Sequence, residues 1–379
     1  MFDALIDRRE TDSVRWDKYA GRDVIPLWVA DTDFRAPPAV IDALQARVAH
    51  GVFGYTAPPA ALLEAIVARM QRLYAWTIQP EWVVFLPGVV SALYMAVQRL
   101  TTSTQHVLSP APVYYHVFRA AQTAPRAYAD VPMVQVQGRW VWDEDALAAA
   151  VTPDTRLLML CNPHNPGGTV FTREELSRLA TFAARHDLLI VSDEIHCDLI
   201  LEPGAMHVPI ASLSPEISQR VVTLMSPSKT FNIAGSGMAY AIIEDPRLRT
   251  AFSFDLKKTV HDASLFGYTA ALAAYQDGAD WLRAQLAYLR VNRDLLTATV
   301  ARLPGVQMLH LEATYLAWID CSGLGVADPQ ALFLAHGLGL SPGVDFGAPQ
   351  YVRFNFGTQR ARLETALQRF EGAVRAAHA

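Results

Sequence analysis

The sequence predicts an α/β fold: a large unit with a mainly parallel sheet between helices, joined to a smaller α+β unit. Short apolar runs of strand length recur through the middle of the chain, helix-periodic segments separate most of them, and the order of elements changes after about residue 279. Strand-helix alternation of this kind builds parallel sheets covered on both faces.

Taken in order, the runs Trp82 to Leu86, His106 to Ser109, Leu157 to Cys161, Leu188 to Ser192, Val221 to Met225 and Ala239 to Ile243 read as buried strands. Helices are expected over Val89 to Leu100, Tyr115 to Ala124 and Arg173 to His186, where apolar residues return at three- and four-residue steps, as Leu176, Leu179, Ala180 and Ala183 do. Beyond residue 279 come a long helix (Trp281 to Leu303), strands at Val306 to Leu311 and Tyr315 to Asp320, a helix from Asp328, a strand at Tyr351 to Phe354 and a final helix. The opening 45 residues hold no strand-helix repeat and are expected to pack on this C-terminal part. The expected division is a large unit over 46–279 and a small unit made of 1–45 and 280–379.

The chain has 379 residues, enough for two packed units; 51% are hydrophobic and 18% charged, a globular composition. With 32 Lys plus Arg against 37 Asp plus Glu, the formal charge is −5, which argues against a nucleic-acid partner. No apolar run approaches the roughly 20 residues a spanning helix needs, and the charged start lacks the apolar core of a leader, so a cytoplasmic protein without a membrane partner is expected. Cys161, Cys197 and Cys321 lack paired spacing, and the histidines show no HExxH pattern, so no metal is expected.

In an open α/β sheet, ligands sit at the carboxyl ends of the strands, so the residues closing each run carry the chemistry. The run ending at Cys161 enters NPHNPGG (162–168), whose prolines and glycines force a shaped turn and hold Asn165 at the sheet edge. The run ending at Ser192 places Asp193 where a buried strand stops, a costly position for a carboxylate unless a cation or donors meet it. The run ending at Met225 is followed by Ser226, Ser228 and Lys229, two hydroxyls and a nucleophilic amine. One cofactor uses all of these: an aldehyde for the lysine, a ring nitrogen for the carboxylate and a phosphate for the hydroxyls, which describes pyridoxal 5′-phosphate. The amides opening the helix after Leu86-Pro87-Gly88, those of Val89 and Val90, are a natural anion site.

NPHNPGG, the SDEIH segment (192–196), SPSKTFNIAG (226–235) and RFNFGT (353–358) resemble the fold type I pyridoxal-phosphate enzymes of the aminotransferase class I/II superfamily over nearly the whole chain. PLWVADTDF (26–34), FGYT (53–56), PVYYHVF (112–118) and EATYLAWID (312–320) are similar to its cystathionine β-lyase (cysteine C–S lyase) subfamily, called MalY/PatB. The resemblance implies a seven-stranded, mostly parallel sheet in the large domain. It implies that Lys229 is the catalytic lysine holding the cofactor, that Asp193 pairs with the ring nitrogen, that Asn165 binds the phenolic oxygen and that Tyr114 stacks on the ring. His196 falls beside the same oxygen or packs there structurally. Ser226, Ser228, Val89 and Val90 take the phosphate, with Tyr55 crossing a homodimer interface to the neighbouring site. Arg353 binds the substrate α-carboxylate, and Ala30 and Tyr55 also face the substrate. Tyr114 and Tyr55 remain open to a reading as core or interface aromatics.

Two departures stand out: Thr32 replaces the methionine usual in the subfamily, and Gly235-Ser236-Gly237-Met238 differs from its usual AGL-type continuation. Position 237 is also where several transaminases carry a phosphate-binding arginine, and the glycine here argues against a typical aminotransferase. The implied activity is β-elimination from L-cystathionine or a related L-cysteine S-conjugate to a thiol, pyruvate and ammonia. The competing readings are an aminotransferase exchanging an amino group with a 2-oxo acid, and a non-enzymatic regulator that keeps the fold.

Overall fold

A computed structural model describes residues 1–254 and 262–378. Its central sheet joins β2 (Val83–Leu86), β3 (His106–Ala111), β4 (Tyr128–Val136), β5 (Arg139–Trp142), β6 (Thr155–Cys161), β7 (Leu189–Asp193), β8 (Val221–Met225) and β9 (Ala239–Ile242) in the order β2-β9-β8-β7-β6-β3-β4-β5. The run from β8 through β4 is parallel, while β9 is antiparallel to both its neighbours. Seven strands from β2 to β4 make the mostly parallel sheet implied by the resemblance. The eighth, β5, is the return arm of a hairpin whose turn, Gln137-Gly138, has positive φ at both residues (52° and 76°), the geometry that matches strand twist.

Helices α1 (Pro38–His50), α2 (Ala60–Tyr74), α3 (Val89–Leu100), α4 (Tyr115–Thr123), α5 (Glu144–Ala150), α6 (Arg173–Arg185), α7 (Pro215–Ser218), α8 (Pro246–Ser253) and α9 (Leu265–Asp277) accompany the sheet. Helix α6 starts with a reciprocal cap in which Thr172 Oγ1 accepts from Glu175 N and Glu175 accepts from Thr172 N, satisfying two donors that a helix start leaves open. Strands β6, β7 and β8 are buried almost throughout because helices cover both faces, which is why they read as unbroken apolar runs.

The long helix α10 (Ala279–Ala301) leads to β10 (Gln307–Met308), β11 (Leu316–Asp320), α11 (Pro329–Ala335), β12 (Leu338–Gly339), β13 (Ser341–Pro342), β14 (Tyr351–Asn355) and α12 (Arg360–Ala377). A second, antiparallel sheet runs β10-β11-β14-β13. The strand expected over Val306 to Leu311 shrinks to Gln307–Met308, because the chain then turns to lay Leu311 against Gly168. Near the N-terminus, β1 (Ile25–Pro26) pairs with β12, and Asp33 sits buried among Arg8, Arg15, Arg362, Trp16 and Thr358. That cluster fixes the segment that follows β1 against β14. Among the described residues no helix is long and apolar enough to cross a membrane.

Candidate active site

Three parallel strands end side by side and deliver the polar groups. The turn after β6 is pinned by His164: its Nδ1 accepts from Gly167 N, so Nε2 carries the proton and donates to Pro112 O at 2.8 Å. Gly168 has φ +72° and lies against Leu311, so both backbone conformation and space call for glycine there. Tyr114 N donates to Asn165 O at 3.0 Å, which joins the start of α4 to this turn. Asn165 is thereby held from two sides.

At the end of β7, Asp193 is buried. Among the described residues its carboxylate accepts only the Ile195 N–H, at 3.2 Å. Burial pushes its pKa up to about 6, with the Ile195 bond and the Lys229 amine pulling the other way. Beyond β8, Lys229 Nζ donates to Ala30 O at 2.7 Å. Burial lowers the lysine pKa below its ordinary value, which raises the fraction of neutral, nucleophilic amine. His196 is buried, its Nδ1 has no hydrogen-bond partner among the described residues, and its pKa falls to about 3, so it is neutral at physiological pH. Tyr114 is held protonated by burial.

Arg353 on β14 reaches the same place from the second sheet. Its Nη1 donates to Asn165 Oδ1 at 3.1 Å and its Nη2 to Trp28 O at 2.9 Å, while the guanidinium lies over the Phe346 ring, 4.7 Å from the centroid. Burial lowers its pKa only to about 10, so it stays charged. Ala30 is brought in by Asn355, whose Nδ2 donates to Val29 O and Asp31 O.

The corner expected to take the phosphate forms where β2, β8 and β9 meet: Leu86 pairs with Ala239, and Ser226 Oγ donates to Met238 O next door. Helix α3 begins at Val89 with no side-chain cap, which leaves the amides of Val89 and Val90 available. Ser228 N donates to Ser226 Oγ at 3.1 Å, folding both serines onto this corner. Gly237 has φ +65°, a conformation that glycine adopts readily and an arginine rarely does.

Lys229, Asp193, Asn165, Arg353, Tyr114, His196 and Ala30 thus converge, and Val89, Val90, Ser226 and Ser228 gather at one corner. Tyr55 does not join them within one chain, as it is fully exposed. Phe346, Ser341 and Asn355 support the site without having been singled out from the sequence. Asn355 lies inside the RFNFGT motif, which is a signal for it; Phe346 and Ser341 carry none. The donor set fits pyridoxal phosphate: among the described residues, a buried carboxylate with no ion pair, a buried His196 Nδ1 with no hydrogen-bond partner, a helix start with no side-chain cap and a lysine of lowered pKa are complementary to its ring nitrogen, ring substituents, phosphate and aldehyde. Among the described residues no cluster of side chains could hold a metal ion.

The family model for aminotransferase class I and II matches residues 22–370. Cystathionine beta-lyase PatB of Bacillus subtilis (strain 168) is 38% identical over 385 residues, covering 98% of this chain and 99% of the relative. The crystal structure of OvoB is 53% identical with a TM-score of 0.97, covering 99% of each chain. The PLP-bound C-S lyase of Staphylococcus hominis is 30% identical with a TM-score of 0.92, covering 99% of this chain and 98% of that one.

Proposed function

Because this chain belongs to the aminotransferase class I and II family, we propose that it acts as a pyridoxal-phosphate-dependent carbon–sulfur β-lyase, releasing thiol, pyruvate and ammonia from L-cystathionine or a related L-cysteine S-conjugate. The observation that carries this reading is the placement of Lys229: its amine has a lowered pKa and lies beside Asp193, Ala30 and the arginine that would hold the substrate carboxylate. Pyridoxal phosphate, when bound, supplies an electron sink for the charge that develops at the substrate Cα.

The chain's own residues do the rest. Asp193 would keep the ring nitrogen protonated, and Asn165, whose Oδ1 is taken by Arg353, would offer Nδ2 to the phenolic oxygen. Tyr114 would lie against the ring, with His196 beside it. The amides of Val89 and Val90, with Ser226 and Ser228, would bind the phosphate. Arg353 would grip the substrate α-carboxylate with its planar fork, fixing the Cα–H bond relative to Lys229. Lys229 Nζ would then take the Cα proton as general base, a task that needs the neutral amine its environment favours.

The working form is a homodimer. Tyr55, Phe53, Val52 and Val48 form an exposed apolar stretch, and Tyr55 at its end would reach the partner subunit's phosphate corner. The test is pyruvate and free-thiol release from L-cystathionine by the cofactor-loaded protein, with Lys229→Ala as the blank. Equal release of both supports the lyase. No pyruvate, with an added 2-oxo acid converted to an amino acid instead, overturns it in favour of transamination.

A further inference from the structure

The carbonyl oxygen of Ala30 accepts two hydrogen bonds, from Lys229 Nζ at 2.7 Å and from Tyr315 Oη at 3.0 Å. A carbonyl offers two lone pairs, so these two donors fill it. The carbonyl itself is immobilised: Asn355 holds the peptides on either side, Asn232 Nδ2 donates to Thr32 O at 2.9 Å, and Arg8 and Arg15 both bind the Asp31 carboxylate. Tyr315 is fully buried, with its ring edge-on to His196 at 6.3 Å. Lys229, on its flexible stem, is the member of this trio that can leave.

We propose that Tyr315 is a positioning residue for the Lys229 amine: by occupying one lone pair of the Ala30 carbonyl it makes that oxygen a weak resting acceptor, from which the amine departs readily. This rests on the reading of Lys229 as the cofactor lysine. Both donors draw on the electron density of one oxygen, so each weakens the other. Without the tyrosine hydroxyl the oxygen would serve the lysine alone, and a stronger acceptor favours the ammonium over the amine. The other groups facing Nζ are Asp31 and Asp193, which favour the charge, Arg353, which opposes it, and the neutral His196 ring. Tyr315 acts against that background through the acceptor alone, without adding charge of its own.

The test is the pH dependence of Lys229 labelling by trinitrobenzenesulfonate in the full chain stripped of cofactor, read by mass spectrometry of the Lys229 peptide. Tyr315→Phe moves the midpoint to higher pH by about half to one unit and slows cofactor uptake near neutral pH by about three- to tenfold. Replacing Tyr315 by 3,5-difluorotyrosine, a stronger donor, moves the midpoint the other way and guards against a phenylalanine variant that fails to fold. Tyr268→Phe, which removes a different buried hydroxyl, leaves the profile in place. A Tyr315→Phe profile that overlays the wild type or moves to lower pH overturns the proposal, as does an equal shift in Tyr268→Phe. Borohydride reduction of the loaded wild-type protein tests the underlying reading separately, because a label on any lysine other than Lys229 sinks that reading whatever Tyr315 does.

Discussion

Arg353 Nη1 donates to Asn165 Oδ1 across 3.1 Å, linking β14 of the second sheet to the turn that follows β6 of the first. Arginine is only a donor, so this bond fixes which way the asparagine amide points and leaves Nδ2 as the free donor. The arginine proposed to bind the substrate carboxylate and the asparagine proposed to bind the cofactor therefore share a side-chain contact. An anion that draws Arg353 away would release the Asn165 amide oxygen from this bond.

Arg353→Lys is expected to raise KM for cysteine conjugates about ten- to a hundredfold while the cofactor stays bound. A lysine ammonium is a point donor without the planar fork, and a lost charge-assisted bond amounts to about 1.5–3 kcal/mol. Steady-state pyruvate release, with visible absorbance as the measure of cofactor content, checks both halves. An unchanged KM would remove Arg353 from carboxylate binding.

Asp193 makes stability depend on pH in a predictable direction. Its carboxyl titrates near the ordinary 3.8 in the unfolded chain and at about 6 in the folded one. Between these values the folded chain keeps a proton that the unfolded chain has released, so stability falls as pH rises through that window, by about 3 kcal/mol at most. Asp193→Asn removes the slope. The cofactor-free variant should match the wild type near pH 4 and be more stable by about 2–3 kcal/mol near pH 7. His164 and His196, with pKa values lowered by burial, weaken the fold as pH falls below about 6.5, but they do so in both chains and cancel in the difference. Urea unfolding of the two proteins across this range decides it; parallel curves would contradict the raised Asp193 pKa.

Much of this site was legible because β6, β7 and β8 are covered on both faces, so each reads as an apolar run and its first polar residues mark the ligand edge. Asp193 follows from that rule directly, whereas Asn165 and Lys229 lie three residues further along the segments that open there and emerge once the groups are matched to one cofactor. Strand β4 escaped it: Tyr128–Val136 carries Pro132 and several exposed residues, as a strand near a sheet edge does, and β5 is only a short return arm. The Asp33 cluster escaped for another reason. Its members lie as far apart as Arg8 and Arg362, and ion pairing over such separations leaves no local periodicity to read.

Tyr55 lends itself to a mixing experiment. Lys229→Ala and Tyr55→Ala proteins should each release little pyruvate. Unfolded together and refolded as mixed dimers, they should recover up to about a quarter of wild-type activity, because about half the dimers are hybrids and each hybrid owns one site with both residues intact. Colorimetric pyruvate assay of the mixture against each parent is the measurement. Failure to complement, with mixed dimers verified by mass, would place Tyr55 in its own subunit's site or outside catalysis.

Asn355 is the hinge between fold and site. It is buried, its Nδ2 donates to Val29 O and Asp31 O, and its Oδ1 accepts from Gly357 N at 2.7 Å. Asn355→Ala leaves those three backbone groups without their partner, which is expected to cost about 2–4 kcal/mol in urea unfolding. The same substitution frees the segment carrying Ala30, so KM for the cysteine conjugate should rise severalfold even where the protein remains folded. Lost stability with an unchanged KM would mean that the Asp33 cluster alone holds Ala30 in register with Lys229. Unchanged stability would mean that the carbonyls of Val29 and Asp31 find other donors, and that the segment is held from its charged end.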